Sequence, residues 1–564
     1  MKRQQSGNAR TSAAVLPRLG LILCVGVMLG GASCHHHNNV AGSVASYTLG
    51  GTIVGLTAGG LVLANGTDTV SPAQGATSFV FPTPVPSGTV YVVTVQTEPT
   101  GLSCAVSFGD SVMESAAVTS VVVSCSLPWV WRSGEAISDA VGVYGTQGVA
   151  AATNIPGGRG GAASWVDQAG NFWIFGGSGF DVTGSLVDFN DLWEYSPTTL
   201  QWTWVSGTNT SNAAGVYGTL GQAAAGNIPG ARAGATSWID SAGNFWLFGG
   251  AFNNAATGVA SPFNDMWKFT PSTGMWTWVS GSNVENGIGS YGTQGQAAPA
   301  NTPGARNGGS SWVDLAGNLW LFGGAGFDAV GTLGNMNDLW EFSPSTQQWS
   351  WMSGSSTANA TGVYGTQGTA ATGNVPGGRV GSSAWLDAAG NFWVFGGEGF
   401  NSADVPGDLN DLWEYSLASG QWTWVAGPDA INSSGSYGTT EGVAAGSNVP
   451  GGRAAGVSWT DHAGNLWLFG GGGYSGTAGN VGYLNDLWKF TPSTGQWSWI
   501  SGDTVADAIG VYSAIGAATG SLPGARDYAT SWTDASGNLW MFGGQGYDLQ
   551  GNLGELNDLW EFPL

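Results

Sequence analysis

The sequence predicts an all-β protein, a ring of six four-stranded sheets preceded by a small β-sandwich. Three observations predict it. Gly is very high, at 97 of 564 residues, yet aromatic residues make up 12% of the chain and Trp alone accounts for 30. A disordered Gly-rich chain lacks that aromatic load, so this chain is packed and rich in turns. One phrase then recurs six times with a period of 73 or 74 residues, and its pieces set alternate residues on opposite faces with period two, the period of a strand. At this length, one ordinary core does not suffice, and a repeat array does.

The elements follow in chain order. Residues 1–33 read as a targeting segment. Lys2, Arg3, Arg10 and Arg18 give it a basic start, and the apolar run 19–29 is too short to span a bilayer comfortably. It leads into GASC, ending on Cys34, and then a polar HHHNN. Small residues leading into a Cys resemble a bacterial lipoprotein signal, although that family favours Leu where Gly31 stands. The resemblance implies that Cys34 is the lipidated first residue of the mature chain and that 34–44 is a tether; plain secretion with cleavage nearby is the alternative. Lipid at Cys34 is the one membrane attachment expected.

Residues 45–127 read as a small β-sandwich. Short alternating strands such as TIVGL, SFVF and YVVTV are separated by turn residues, with Asn65-Gly66 as a hairpin turn. Of four Cys, one lies in the leader and one at its end, leaving Cys104 and Cys125 beside the strands CAVSF and SVVVSC. In an exported chain that pair favours a disulfide. The segment resembles immunoglobulin-like or prealbumin-like modules, which implies a spacer.

From 128 to 564 the chain is repetitive. PG-x-R recurs with its Arg at Arg159, Arg232, Arg306, Arg379, Arg453 and Arg526. Each copy continues as [SA]W-x-D-x-x-GN-x-W-x-FGG, with Ala in the fourth copy alone, a variable stretch, and ND-[LM]-W, whose Asp is Asp191, Asp265, Asp338, Asp411, Asp486 or Asp558. In NFWIFGG both faces of the strand are apolar, so each sheet is covered on both sides, as in sheets stacked radially about an axis. These motifs resemble the kelch repeat, which implies the four-stranded blades of a β-propeller of the galactose oxidase-like kind. Five copies finish on a W-x-W strand, whereas the last stops at LNDLWEFPL. Six blades of five Trp account for all 30 if PWVW, within 128–132, supplies the missing fourth strand. The expected fold is thus a six-bladed propeller closed by its own N-terminal strand.

Each Arg and each Asp of ND-[LM]-W is constant, which suits a buried structural pair within or between blades. Strand direction sends the stretches after Gly-Gly to one face, together with the blade-to-blade loops. Long loops on a rigid scaffold are where binding usually resides. The candidate ligand-binding residues there are Phe180, Asp181, Asp188, Phe327, Asp328, Glu398, Asp404, Asp408, Tyr547, Asp548 and Glu555, offering stacking and carboxylate hydrogen bonds to a glycan, peptide or protein. The aromatics equally suit packing under their own loops, and the acids equally suit solvation. No cofactor or metal is expected, Ca²⁺ being the one ion these carboxylates would suit.

A net charge of −23 with 13 basic residues argues against nucleic acid as a partner. The resemblance to galactose oxidase does not extend to copper radical chemistry, which needs His and Cys groups: the repeats hold no Cys and one His, His462. The first functional expectation is an exported binding or scaffold protein of the cell envelope, on the outer membrane or cell surface, otherwise secreted or periplasmic, and monomeric. The alternative is a carbohydrate-active enzyme using carboxylates on the same face. Six-bladed kelch propellers occur among N-acetylneuraminate epimerases, so the resemblance implies a sugar epimerase or mutarotase, or a lyase or hydrolase.

Overall fold

The computed structural model describes residues 44–564 except 127, 182, 211, 255–258, 439–440 and 518–519. The leader, Cys34 and the tether up to residue 43 lie outside the described residues. Those described contain strands and turns and no helix.

Two four-stranded sheets come first. One orders Ser78–Val80, Leu49–Val54, Val118–Ser126 and Ser103–Ser107; the other orders Asp68–Val70, Val62–Asn65, Val90–Thr97 and Asp110–Val112. Leu49, Ile53, Val121 and Val123 from the first meet Leu63, Tyr91 and Val93 from the second in one apolar core. Cys104 and Cys125 stand directly opposite on neighbouring strands and form a disulfide.

Six further antiparallel sheets follow, four of four strands and two of five, the fifth strand in these two being the short one at Arg379 or Arg453. The first is built from Ala163–Val166, Phe172–Phe175, Leu192–Ser196 and Gln201–Ser206, in chain order from inside to outside. The innermost strands touch in cyclic order, so Ala163–Val166 meets both Thr236–Ile239 of the second sheet and Thr530–Thr533 of the last. Together they line an axial channel of about 390 Å³ with Ser164, Trp165 and Val166 and their counterparts in all six sheets. The fold is all-β and propeller-like.

The sheets hold together by aromatic packing. Phe172, Trp173, Ile174 and Phe175 are all buried, on both faces of one strand. Trp165 and Trp173 pack against Phe245 and Phe269 of the next sheet. The indole N–H of Trp165 also donates to the Trp238 carbonyl at 2.8 Å, which spares a buried donor. At the opposite end of each sheet, Asp167 and its five equivalents accept the turn amides of D-x-x-GN and the indole N–H of the following Trp.

The last sheet consists of Thr530–Thr533, Leu539–Phe542, Leu559–Phe562 and, in fourth place, Val130–Ser133. Trp131 stands opposite Trp560, as Trp204 stands opposite Trp193. The Trp131 indole donates to the Ser133 carbonyl at 2.8 Å, as Trp204 does to Ser206 at 2.9 Å. Trp129 is buried against Trp459, Phe469 and Phe562. Arg132 forms an ion pair with Glu561 across the same junction.

Two expectations are corrected. The stretches after Gly-Gly are not long loops but hairpins that continue the middle strands: Ser178–Phe180 pairs with Leu186–Asp188, and in the fourth sheet Phe392–Phe400 runs unbroken against Pro406–Ser416. The reason is that the Gly pair bends the strand without ending it. Gly176 and Gly177 take φ of 69° and 96°, a turn open to Gly and strained for other residues. The blade-to-blade segments are not free loops on one face either. They run down the outer edge, where Ala151 bridges to Trp202 and the Asn154 amide donates to the Trp202 carbonyl, covering an edge strand that would otherwise be open to pairing.

Candidate functional site

Beneath the candidate face lies a fixed platform. Arg159 is fully buried and forms two parallel bonds to Asp191, at 2.6 and 2.9 Å. Its remaining donors reach the carbonyls of Gly157 and Gly176. Asp191 also accepts from the Tyr144 hydroxyl and the Trp193 indole, each at 2.7 Å. Burial, then the neighbouring carboxylate, pushes the Tyr144 hydroxyl far above its usual range, so it remains a donor. The same four-residue cluster recurs in all six sheets, for example as Arg306, Asp338, Tyr291 and Trp340. Each pair lies within one repeat; in the first, four of the five guanidinium N–H groups and both carboxylate oxygens are engaged, which is what lets a buried ion pair be tolerated.

Two residues after each Arg the backbone turns across the axis. There the N–H of Gly161 donates to Tyr528, Tyr528 to Ala455, Ala455 to Gly381, Gly381 to Gly308, Gly308 to Gly234, and Gly234 back to Gly161, with N···O distances of 2.7–3.0 Å. This is a closed ring of six amides, one from each sheet. Every member has a left-handed φ, including Ala455 at 56° and Tyr528 at 51°. Three residues further along, the strands begin to line the channel at Ser164.

Above the ring lies one row of variable side chains per sheet. The residue after Arg pairs with the residue after Gly-Gly, which pairs in turn with the returning hairpin strand. The rows are Gly160-Ser178-Asp188, Ala233-Ala251-Pro262, Asn307-Ala325-Asn335, Val380-Glu398-Asp408, Ala454-Gly472-Tyr483 and Asp527-Gln545-Glu555. Strand alternation turns these rows away from the Arg clusters. A pocket of about 190 Å³ sits on the first, second, third and sixth of them. Its floor is Gly161 and Gly234 of the ring, and its walls include Ser178, Asn253, Asn307, Tyr528, Gln545 and Glu555.

The sixth row is acidic. Glu555 is 7% exposed. Its Oε1 accepts from Gln545 at 3.3 Å, and Gln545 Oε1 accepts from the Tyr483 hydroxyl at 2.6 Å. Glu555 Oε2 and Asp527 Oδ1 are buried with no hydrogen-bond partner in the protein. Burial, then Asp527 and Asp139, pushes the Glu555 carboxyl up to about 8. Burial pushes Asp527 up to about 7. Two such groups hold and exchange protons near neutral pH.

The sequence-derived candidates divide among these surroundings. Glu555 lines the pocket. Asp188 is buried beside it, accepting the backbone and side-chain N–H of Asn253 at 2.5 and 3.1 Å. Glu398 and Asp408 form the acidic pair of the fourth row, the former exposed. Asp404 lies exposed in its hairpin turn, at φ 61°. Phe180, Phe327 and Tyr547 are half-buried on their hairpins.

Asp181, Asp328 and Asp548 are corrected: they are buried and turned into their own loops. Asp181 accepts from the amides of Thr183 and Ser185, Asp328 from Val330, Thr332 and Ala358, and Asp548 from Gln550, Asn552 and Ser138. Burial works against the Asp328 and Asp548 carboxylates, yet these amides outweigh it and hold both below the usual range. They shape loops and present no free carboxylate for Ca²⁺. Among the described residues no three His, Cys, Asp or Glu side chains gather as a metal site.

Asp527, Gln545, Tyr483 and Tyr528 were missed by the sequence reading. Their signal was variability: each occupies a place in the repeat where the other copies carry different residues.

The fold and this site define an all-β, propeller-like protein with an acidic pocket over its axis. No family model and no curated protein matches the sequence. Among solved structures, the "Structure of YjhT" matches at 17% identity, covering 74% of this chain and 95% of that chain with a TM-score of 0.41. That overlap is too low to carry an argument, and the sheets described above establish the fold by themselves.

Proposed function

We propose that the chain is a kelch-type six-bladed β-propeller, closed by strand 128–132, that binds a glycan, peptide or protein partner in the pocket over its amide ring. One observation carries this reading: the six copies agree in their Arg clusters, edges and turns, and differ in the rows above the ring, four of which reach the pocket, where Glu555 keeps a buried oxygen unpartnered. Repetition marks scaffold; variation on a rigid platform suits recognition. In this reading the protein is exported, held in the cell envelope by lipid on Cys34 through the tether 34–44, and acts as a monomer, with sandwich 45–127 as spacer. Binding to glycan and peptide arrays should be lost in Glu555→Gln with the fold intact. Undiminished array binding by that variant would place recognition elsewhere.

A second reading has its own observation. Two carboxyls that titrate near neutrality, Asp527 and Glu555, suit acid–base chemistry on a carbohydrate, as in an epimerase, mutarotase, lyase or hydrolase. Turnover with a bell-shaped pH profile, abolished by either Asp527→Asn or Glu555→Gln, would favour it. Linear pH-independent binding without turnover would remove it.

A further inference from the structure

We propose that the pocket over the amide ring takes a primary ammonium group, carried by an amino sugar or a lysine side chain. This rests on the reading of that pocket as the binding site and adds the chemistry of what enters it.

The walls supply acceptors and no countercharge. In the wall, Glu555 Oε2 is buried without a protein donor; Asp527, whose Oδ1 is likewise unpartnered, stands behind Glu555 and outside the lining. No Lys or Arg is among the residues lining the pocket. The Arg residues that precede Gly160 and Asp527, Arg159 and Arg526, are buried and paired with Asp191 and Asp558. Gly160 and Gly472 leave the space the two carboxyls use: a Cβ on Gly160 would lie 3.2 Å from Glu555 Oε2, and one on Gly472 3.3 Å from Asp527 Oδ2. Tyr528, held out by its left-handed backbone, is 45% exposed and offers a ring beside the same space.

An ionised carboxylate in such a place requires a donor and a positive charge together. A neutral hydroxyl brings only the donor. A quaternary ammonium brings only the charge. A guanidinium seeks a carboxylate with both oxygens open, and one oxygen of Glu555 is already taken by Gln545. A primary ammonium carries three donors on one point charge, and an aromatic ring alongside adds attraction.

Glu555 is faced by Asp527 from the strand after Arg526, by Asp139 from the segment after the closing strand, and by Gln545 from its own hairpin, which in turn holds Tyr483. All the charged groups in that circle are acids. Ammonium binding therefore requires their ionisation and displaces protons, so for a lysine side chain, which stays protonated in this range, it strengthens as pH rises through about 7 to 8.

The test is calorimetric titration of the full chain with four probes: Nα-acetyl-lysine methylamide, its norleucine counterpart, glucosamine and N-acetylglucosamine. At least one amine probe should bind and its neutral counterpart should not, by tenfold or more. The lysine probe alone would identify a peptide source, and glucosamine alone a sugar source. Affinity for the lysine probe should fall at least tenfold from pH 8.5 to pH 6, with proton release on binding. Glu555→Gln should abolish it, and Gly160→Ala, whose Cβ would crowd Glu555 Oε2 at 3.2 Å and Tyr528 Cβ at 3.3 Å, should weaken it. Equal binding of amine and neutral probes, or amine binding that survives Glu555→Gln, overturns the inference, as does binding of neither amine. If array ligands without an amine bind and Glu555→Gln removes them, the ammonium inference fails while the pocket reading stands. If Glu555→Gln leaves array binding intact, the pocket reading itself fails.

Discussion

Arg306 shows how much one side chain holds at the residue scale. Removing it would leave Asp338 buried and charged with only the Tyr291 and Trp340 donors. Arg306→Ala should therefore destabilise the protein by about 3–5 kcal/mol, read as a lower midpoint in denaturant. Tyr291→Phe removes a single charged hydrogen bond and should cost about 1.5–3 kcal/mol. A pH effect belongs here too. Burial raises the Glu555 carboxyl to about 8 in the folded chain, so the native state binds a proton that the unfolded state releases near pH 4.5. Stability is greatest below that value and falls until pH passes about 8. The decline should flatten in Glu555→Gln, measured as melting temperature across pH 5 to 8.5. The Arg and Asp of each repeat were legible in the sequence because sixfold constancy is what a structural pair requires. Asp181, Asp328 and Asp548 misled because their acidity was visible and their partners were not: the donors are backbone amides two and four residues on, which a side-chain pattern does not display.

At the scale of elements, the closing strand was legible by counting Trp, because each sheet needs the same five and PWVW held the only two left over. Its environment repeats that of a fourth strand down to the ring contact: Tyr512 meets Trp131 edge-on at 5.1 Å, as Tyr144 meets Trp204. Arg132 adds a feature particular to the junction, an ion pair with Glu561. A chain beginning at residue 134 should lose the closing strand and expose Leu559–Phe562 as an open edge. It should then dimerise or aggregate in size-exclusion chromatography with light scattering; a stable monomer would show that the strand is dispensable. The hairpins were not legible, because Gly-Gly after an apolar strand reads as its end. Only the three-dimensional path reveals that the pair turns the strand upward and lets the same two strands build the wall of the pocket.

Across the whole molecule, near-sixfold repetition and its exceptions have different physical origins. Scaffold positions repeat because each sheet meets the same neighbours. The amide ring is the place where repetition relaxes: four of its members are Gly, and Ala455 and Tyr528 accept a left-handed backbone that an L-residue pays about 1–2 kcal/mol to adopt. Ala455→Gly should relieve part of that strain and raise stability by about 0.5–1 kcal/mol after the added chain entropy, read from chemical denaturation; a drop would mean that the Ala side chain contributes packing. Tyr528 shares the strain yet carries a large exposed ring, so its retention there fits a role in the pocket. The ring has one more consequence. Its N–H···O=C bonds follow one another around a closed loop, so their components in the plane of the loop cancel. A helix terminus gathers its dipoles into a field that draws ions of one sign; this loop gathers nothing in its plane. The pocket thus has a polar floor whose bonds point around the loop and not at a ligand, which leaves the side chains standing above it to set the sign of charge the pocket prefers.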